Sequence, residues 1–168
     1  MMNGTIRVES EKSVGSLFVV TVVLGKSERV HPVGEPETQA DTENHLAGCR
    51  VLMAEDVEQN AEILADLLEI EGVEAERAEN GEVAVRMFSE KEKGYYDAIL
   101  MDVRMPVMNG LTATGEIRKL DRDDARTIPI IAMTANVFEE DVESSLQAGM
   151  KAHLSKPIEP DRLYSVLG

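Results

Sequence analysis

The chain has 168 residues, of which 43% are hydrophobic and 29% are charged, and its formal net charge is −15. This length and composition are typical of one globular domain with an appendage and exclude a fibrous or wholly disordered chain. The acidic excess argues against direct nucleic-acid binding, because Lys and Arg supply most of the affinity for phosphates, and the single cysteine, Cys49, excludes an intramolecular disulfide.

Residues 4–24 are predicted to form a β-hairpin. Polar and apolar residues alternate over residues 5–10, turn residues occupy 12–16, and residues 17–24 are again β-branched and apolar. Two strands alone are only marginally stable in water, so this hairpin requires another surface to cover it. We therefore expect it to be an edge of something larger.

Residues 17–24 are also the longest apolar run, and they include the polar Thr21. The run is much shorter than the roughly 20 residues that a membrane-spanning helix needs, and no cationic segment precedes it as in a signal peptide. We expect a cytoplasmic protein with no membrane segment in this stretch, which leaves a membrane-bound parent open.

Residues 26–48 are predicted to be a linker between the hairpin and a second region. Pro32, Gly34 and Pro36 exclude a regular helix, and the acidic, polar composition favours an extended, solvated chain. The predicted organisation is thus a hairpin at 1–25, a linker at 26–48 and a domain at 49–168.

The region 49–168 alternates five predicted strands with five predicted helices. The strands are short apolar runs at 50–54, 73–77, 98–101, 130–133 and 152–154. Apolar residues recur at helical spacing after each strand: Ala61, Leu64, Ala65 and Leu68; Ala84, Met87 and Phe88; Ala113, Ile117 and Leu120; Phe138, Val142 and Leu146; Leu163, Val166 and Leu167. The charged stretch 121–127 is predicted to be a loop. This alternation predicts a doubly wound α/β fold, with a parallel sheet covered by helices on both faces.

Polar residues follow four of the predicted strands. They are Glu55-Asp56, Asp102, Thr134 and Lys156. The carboxyl ends of parallel strands meet at one edge of a sheet, so these residues are expected to lie together. Three neighbouring carboxylates repel one another unless a cation joins them, and oxygen ligands without His or Cys suit Mg²⁺. A hydroxyl and an ammonium beside them can hold phosphoryl oxygens, so the set suits phosphoryl transfer onto a carboxylate.

These motifs resemble the receiver domain of two-component response regulators, and the whole chain resembles the C-terminal part of a hybrid sensor histidine kinase. The resemblance rests on Glu55-Asp56, Met101-Asp102-x-Arg104-Met105-Pro106-x-Met108-x-Gly110, Met133-Thr134-Ala135 and Ser155-Lys156-Pro157. It implies the flavodoxin-like receiver fold, with five parallel strands and five helices. The hairpin, over residues 4–10 and 15–20, resembles the closing strands of the ATP-binding domain of such kinases. None of that domain's nucleotide-binding motifs precede it, so we do not expect ATP binding.

The resemblance implies a role for each acidic residue. Asp102 would be the phosphoacceptor, taking a phosphoryl group from a phosphohistidine on a histidine kinase or a histidine phosphotransfer domain. Glu55 and Asp56 would hold Mg²⁺ together with Asp102 and the backbone carbonyl of Arg104. Glu55 stands where many relatives have the shorter Asp, so it would reach the metal through water.

Three further residues have roles that the same resemblance implies. Thr134 would bond a phosphoryl oxygen and draw its loop inward, and Lys156 would pair with another phosphoryl oxygen. The peptide bond between Lys156 and Pro157 would be cis. His153 stands where the family often has an aromatic switch residue, and its titration would make switching sensitive to pH; an ordinary half-exposed strand histidine explains it equally well.

Two other functions fit the same fold. A receiver-fold interaction module acting without phosphorylation is one, although the intact acidic set, threonine and lysine count against it. A Mg²⁺-dependent phosphohydrolase is the other, but such enzymes commonly carry a second acid two residues after the nucleophile, where this chain has Arg104. We predict a stoichiometric acceptor with slow self-dephosphorylation, and the sequence leaves open a homodimer formed through the hairpin.

Overall fold

The computed structural model describes residues 5–11, 15–21, 46–135 and 139–168. The chain divides into two units, Met1–Asp41 and Thr42–Gly168, and each is described by itself. The predicted hairpin turn at 12–14, most of the predicted linker and Phe138 lie outside the described residues.

The first unit contains an antiparallel pair of strands. β1 (Thr5–Glu11) pairs with β2 (Gly15–Thr21), in a register that sets Ile6 opposite Val20 and Val8 opposite Phe18. Ile6 and Val8 lie on one face of β1, because side chains alternate along a strand. Within this unit Ile6 is 73% exposed and Val8 is 51% exposed. The predicted hairpin is confirmed, and it carries apolar side chains that its own two strands do not bury.

The second unit is a five-stranded parallel sheet with helices on both faces. Its strands lie in the order β4-β3-β5-β6-β7, with β3 at Arg50–Ala54, β4 at Glu74–Ala78, β5 at Ala98–Asp102, β6 at Ile130–Thr134 and β7 at Ala152–Ser155. The helices are α1 (Glu58–Ile70), α2 (Gly81–Glu90), α3 (Gly110–Lys119), α4 (Asp123–Thr127), α5 (Glu139–Gln147) and α6 (Pro160–Leu167). The strand order changes direction between β3 and β5, as in flavodoxin-like sheets, so the predicted doubly wound fold is confirmed.

The central strands β5 and β6 are buried at every position, as a parallel sheet covered on both faces requires. Ile99 and Met101 pack on the side of α2 and α3, whereas Leu100 packs on the side of α1 and α6. The two core layers share this strand, and its last residue, Asp102, emerges at the carboxyl edge of the sheet. No helix in the described ranges is long and apolar enough to cross a membrane; the cytoplasmic location stays a prediction.

The prediction of a loop at 121–127 was wrong, because α4 occupies Asp123–Thr127. Asp123 and Asp124 lie in the first turn, where carboxylates favour the positive end of the helix dipole. Ala125 is fully buried and anchors the turn to the core. The helix was not predicted because the segment is mostly charged and Ala125 is its single buried apolar residue. In α5, the predicted apolar position Leu146 is 55% exposed, so it adds little to the core.

Candidate active site

The polar residues that follow the strands gather at the carboxyl edge of the sheet. β3 leads into Glu55 and Asp56, β5 ends on Asp102, and β6, which pairs with β5, ends on Thr134. Carboxylate oxygens of Glu55, Asp56 and Asp102 all lie within 4.8 Å of one another. The sheet therefore brings together the three acids that the sequence analysis selected.

Lys156 bridges two of these acids. Its Nζ donates hydrogen bonds to Glu55 Oε2 and to Asp102 Oδ2, each at 2.5 Å. Glu55 is only 1% exposed and Asp102 6% exposed, so both carboxylates are largely desolvated. One ammonium thus serves two buried acids, while Asp56 adds a third carboxylate nearby. The cluster carries more negative than positive charge and suits a further cation.

Burial and hydrogen bonding have opposite effects on the pKa values of Asp102 and Lys156. Burial raises the pKa of Asp102, although hydrogen bonds from Lys156 and from the backbone N–H of Arg104, at 3.0 Å, oppose it. Burial by itself lowers the pKa of Lys156, but its bonds to Asp102 and Glu55 prevail and raise that pKa. Lys156 therefore stays positively charged at neutral pH.

Glu55 is held from two sides. Asn60, in the first turn of α1, donates from Nδ2 to Glu55 Oε1 at 3.0 Å, and Lys156 bonds the other oxygen. Both oxygens of this carboxylate therefore have hydrogen-bond partners within the protein. Asn60 thereby joins the start of α1 to the buried acid.

The segment after Asp102 folds tightly against the strand end. Val107 has a φ of 66°, and Met108 N–H donates to the carbonyl of Pro106 at 2.7 Å. Val107 therefore lies at the centre of a γ-turn. Asn109 then caps α3 by accepting a hydrogen bond from Thr112 N–H at 2.9 Å. A Cβ on Gly110 would lie 2.2 Å from the carbonyl oxygen of Asp102, so only glycine fits here.

Thr134 and Lys156 are joined through the backbone. Lys156 N–H donates to the carbonyl of Thr134 at 2.8 Å, and Thr134 is only 5% exposed. The peptide bond between Lys156 and Pro157 is cis. His153 lies on β7 and is exposed, and its role as a switch stays a prediction.

A pocket of about 390 Å³ adjoins this cluster. Its polar end is formed by Glu55, Asn60 and Lys156, and its apolar walls by Ile63, Leu64, Leu67, Met133, Pro157 and Ile158. Ile63, on α1, is 61% exposed. The acidic site therefore opens beside an apolar surface large enough for a side chain of another molecule.

Sequence reasoning missed one residue that contacts the acidic segment. Arg77, on β4, donates from Nε to the carbonyl of Glu55 at 3.1 Å and from Nη2 to the carbonyl of Asp56 at 3.0 Å. Its strand, Glu74–Ala78, is rich in charged residues, and nothing in its spacing singles out this arginine. The sequence feature that could have identified Arg77 is a cationic residue on the strand that pairs with β3.

Comparison with known protein families matches residues 51–168 to the response regulator receiver domain. The chain is 39% identical over 120 residues to hybrid signal transduction histidine kinase I of Dictyostelium discoideum, covering 70% of this chain and 7% of that protein. It is 34% identical over 169 residues to the aerobic respiration control sensor protein ArcB of Escherichia coli, covering 99% of this chain and 20% of that protein. The chain thus spans one fifth or less of the length of these relatives.

Among solved structures, the chain is similar to the receiver domain of sensor histidine kinase PA1611 from Pseudomonas aeruginosa. The TM-score is 0.65 at 40% identity, and the match covers 72% of this chain and 95% of that one. That receiver domain holds a magnesium ion coordinated in its active site cleft.

Proposed function

The chain belongs to the response regulator receiver family, and we propose that its region 49–168 accepts a phosphoryl group on Asp102 from a phosphohistidine. The donor would be a histidine kinase or a histidine phosphotransfer domain, since the relatives include hybrid histidine kinases. The observation that carries the proposal is the buried Asp102 carboxylate, which shares an ammonium with one neighbouring acid and lies within 4.8 Å of two.

The transfer is a displacement at phosphorus. A carboxylate oxygen of Asp102 attacks, the phosphorus–nitrogen bond of the donor breaks, and the electron pair stays on the imidazole nitrogen, which takes up a proton. The product is an acyl phosphate on Asp102. Lys156 lies against the attacking group and offers positive charge to the phosphoryl oxygens, where negative charge is concentrated.

The residues present fit Mg²⁺, because the acidic cluster offers three carboxylate oxygens and contains no histidine or cysteine. Asp56, Asp102 and the carbonyl of Arg104 would hold the ion directly, and Glu55 would reach it through water because Asn60 and Lys156 already bond its two oxygens. When bound, the ion neutralises the negative charge shared by the acids and the incoming phosphoryl oxygens.

Thr134 and Lys156 act on the product in this proposal. Thr134 bonds one phosphoryl oxygen and draws the segment that follows β6 inward, while Lys156 pairs with another. The change at this strand end would then control a partner, with His153 as a candidate switch on β7. Slow self-dephosphorylation resets the domain.

The apolar pocket beside the site is the proposed contact for the donor. It is open next to Lys156, and Ile63 on its wall is exposed, so an apolar side chain of the donor can enter while its phosphohistidine faces Asp102. An apolar anchor in a pocket beside a polar reaction centre fixes orientation and supplies binding energy.

The hairpin at 1–25 is proposed to be the last hairpin of a kinase ATP-binding domain, with residues 26–48 as linker. The alignment to ArcB, which spans 99% of the chain, supports a common arrangement, and the exposed Ile6 and Val8 support a missing cover. Amide hydrogen exchange tests this: we expect far weaker protection for residues 1–48 than for 50–168. Strong protection throughout would instead favour docking or a homodimer.

Intact-protein mass after incubation with acetyl phosphate tests the phosphoacceptor proposal. We expect a single phosphoryl adduct that requires Mg²⁺ and is absent from Asp102→Asn. Asp66→Asn, on the exposed face of α1, is the matched control and should take the adduct like the natural chain. An adduct that persists in Asp102→Asn would overturn the assignment, and steady turnover of a phosphomonoester would favour a phosphohydrolase.

If acetyl phosphate gives no adduct, the same assay with a phosphorylated histidine phosphotransfer domain decides the matter. Failure with that donor, in a folded protein that binds Mg²⁺, would favour an interaction module that acts without phosphorylation.

A further inference from the structure

Arg77 reaches the acidic segment from the neighbouring strand. β4 is an edge strand, and its Arg77 pairs in register with Met53 of β3, two residues before Glu55. The guanidinium donates through Nε to the carbonyl of Glu55 at 3.1 Å and through Nη2 to the carbonyl of Asp56 at 3.0 Å. One planar group thus bonds two successive peptide units, and these belong to the two acids.

Asn60 and Lys156 hold the Glu55 side chain, but the backbone of this segment has few other hydrogen bonds among the described residues. Glu55 N–H donates to the carbonyl of Ala78 at 3.0 Å, and beyond that bond the chain leaves the sheet. α1 begins at Glu58, and its N-cap residue, Val57, makes no side-chain cap hydrogen bond. The peptides that carry Glu55 and Asp56 therefore lie between the end of a strand and an uncapped helix. Arg77 bonds the carbonyls of both.

A guanidinium differs from an ammonium in a way that matters here. Arg presents donors in a rigid, planar fork, whereas Lys offers a compact charge that satisfies one acceptor at a time with free rotation. The two carbonyls belong to the peptide units on either side of Asp56, so the guanidinium restricts the backbone from which the Asp56 carboxylate extends.

We infer that Arg77 is a positioning residue for the acidic pair, holding Glu55 and Asp56 in the geometry that binds Mg²⁺. The inference rests on the proposed function in that Mg²⁺ is taken as the ion of the site. It assigns Arg77 no contact with the phosphoryl group or with the ion. The competing explanation is that Arg77 acts only through its charge, by offsetting the surplus of negative charge at this edge.

Two substitutions separate these explanations. Arg77→Lys keeps the positive charge but loses the planar arrangement of two hydrogen-bond donors. If Arg77 positions the acids, this variant should bind Mg²⁺ more weakly; if Arg77 acts only through its charge, Mg²⁺ affinity should not change. We expect its dissociation constant for Mg²⁺ to rise about tenfold, the lower end of the cost of losing an outer-shell partner. Arg77→Met removes the charge as well, and a purely electrostatic role predicts tighter Mg²⁺ binding, because a nearby like charge is gone. If Arg77 positions the acids, Arg77→Met should also bind Mg²⁺ more weakly than the natural chain. Its loss of affinity should be smaller than that of Arg77→Lys, because removal of the like charge partly offsets it.

Three measurements are made on the whole chain, with Arg86→Lys on the exposed face of α2 as matched control. Calorimetric titration with Mg²⁺ gives the dissociation constant. Amide exchange of residues 55–57 in metal-free protein should be faster in Arg77→Lys than in the natural chain. The rate of adduct formation from acetyl phosphate should fall at limiting Mg²⁺ and return to the natural rate at saturating Mg²⁺.

Unchanged Mg²⁺ affinity and unchanged exchange in Arg77→Lys would overturn the inference, as would a rate that stays low at saturating Mg²⁺ with affinity intact. A global loss of stability would appear as faster exchange across the β5 amides, and the comparison is then repeated at a lower temperature where both proteins are folded. If the natural chain binds Mg²⁺ but forms no adduct, the proposed function fails, while affinity and exchange still decide the role of Arg77.

Discussion

Two clusters of charged side chains in the second unit are organised in opposite ways. The acidic edge, formed by Glu55, Asp56, Asp102 and Lys156, holds three carboxylates and one ammonium. The arginine corner, formed by Arg118, Arg122 and Asp124, holds two cations whose donors meet carbonyl and carboxylate oxygens.

Arg122 shows how fully the corner is satisfied. It bonds both carboxylate oxygens of Asp124, at 2.7 and 2.6 Å, and donates to the carbonyls of Phe88, Lys91 and Glu92. Its guanidinium also lies 4.5 Å from the centroid of the Phe88 ring. This one side chain joins α4 to the end of α2.

Arg118 does the same without a carboxylate. It donates to the carbonyls of Ala125, Ile128 and Gly149, and thereby joins α3 to α4 and to the segments that follow α4 and α5. Burial lowers its pKa, but an arginine remains charged at neutral pH in any case. The guanidinium donors of the corner meet carbonyl and carboxylate oxygens of the fold, whereas the acidic edge leaves negative charge in excess. We interpret the arginine corner as a structural cluster and the acidic edge as a site that binds a cation.

The largest expected effect is at the backbone of the acidic edge. Gly110→Ala would place a Cβ 2.2 Å from the carbonyl oxygen of Asp102 and 2.9 Å from Met101 Cγ. Because backbone must move, we expect a loss of about 3 kcal/mol in the free energy of unfolding. Urea denaturation measures it. Gly115→Ala, in the same helix with no atom within 4 Å, is the matched control, and we expect a gain of about 0.5–1 kcal/mol.

Next in size is the loss of the arginine corner. Arg122→Ala removes the hydrogen bonds to Asp124 and to three carbonyls, so we expect the free energy of unfolding to fall by about 2 kcal/mol. Arg126→Ala, at an exposed position of α4, should change the free energy of unfolding by less than about 0.5 kcal/mol. Affinity for Mg²⁺ should be unchanged in both. A large fall in that affinity in folded Arg122→Ala would mean that the two clusters are coupled.

The comparison also shows what the sequence can and cannot predict. The acidic edge follows from local pattern, because each of Asp102, Thr134 and Lys156 comes at the end of an apolar run, and parallel strands align their ends. The arginine corner does not follow from local pattern, because Arg122 contacts Phe88, which lies 34 residues earlier in the chain. Arg77, 22 residues from Glu55, was missed for the same reason. Long side chains that bond distant carbonyls leave no periodic signal.

The excess negative charge of the acidic edge destabilises the fold when no metal is bound. Without metal, Asp102→Asn removes one of three crowded carboxylates while keeping an oxygen for Lys156, so we expect a gain of about 1 kcal/mol in the free energy of unfolding. Mg²⁺ at ten times its dissociation constant should stabilise the natural chain by about 1.4 kcal/mol and the variant by much less. Thermal unfolding with and without Mg²⁺ checks both. Equal stabilisation of the two proteins by Mg²⁺ would contradict a site that includes Asp102.

The smallest effect should appear in the pH dependence of the corner. The hydrogen bond from Arg122 holds the pKa of Asp124 well below its usual range. Because the folded pKa is depressed, the stabilisation is fully present above the unfolded pKa of about 3.9 and is lost as pH falls through the folded value. Asp124→Asn should therefore cost less than about 1 kcal/mol at pH 7, since this side chain is partly solvated and screened.

That cost should shrink steadily as the pH is lowered from about 5 to 3, as Asp124 of the unfolded chain becomes protonated. Urea denaturation of both proteins at several pH values in this window measures the difference, with Asp121→Asn at an exposed position as control. A difference that grew on acidification would mean that Asp124 stabilises the fold as a neutral hydrogen-bond donor. Arg122, like Arg118, would then face only neutral acceptors, and the two clusters would differ chiefly in the sign of their excess charge.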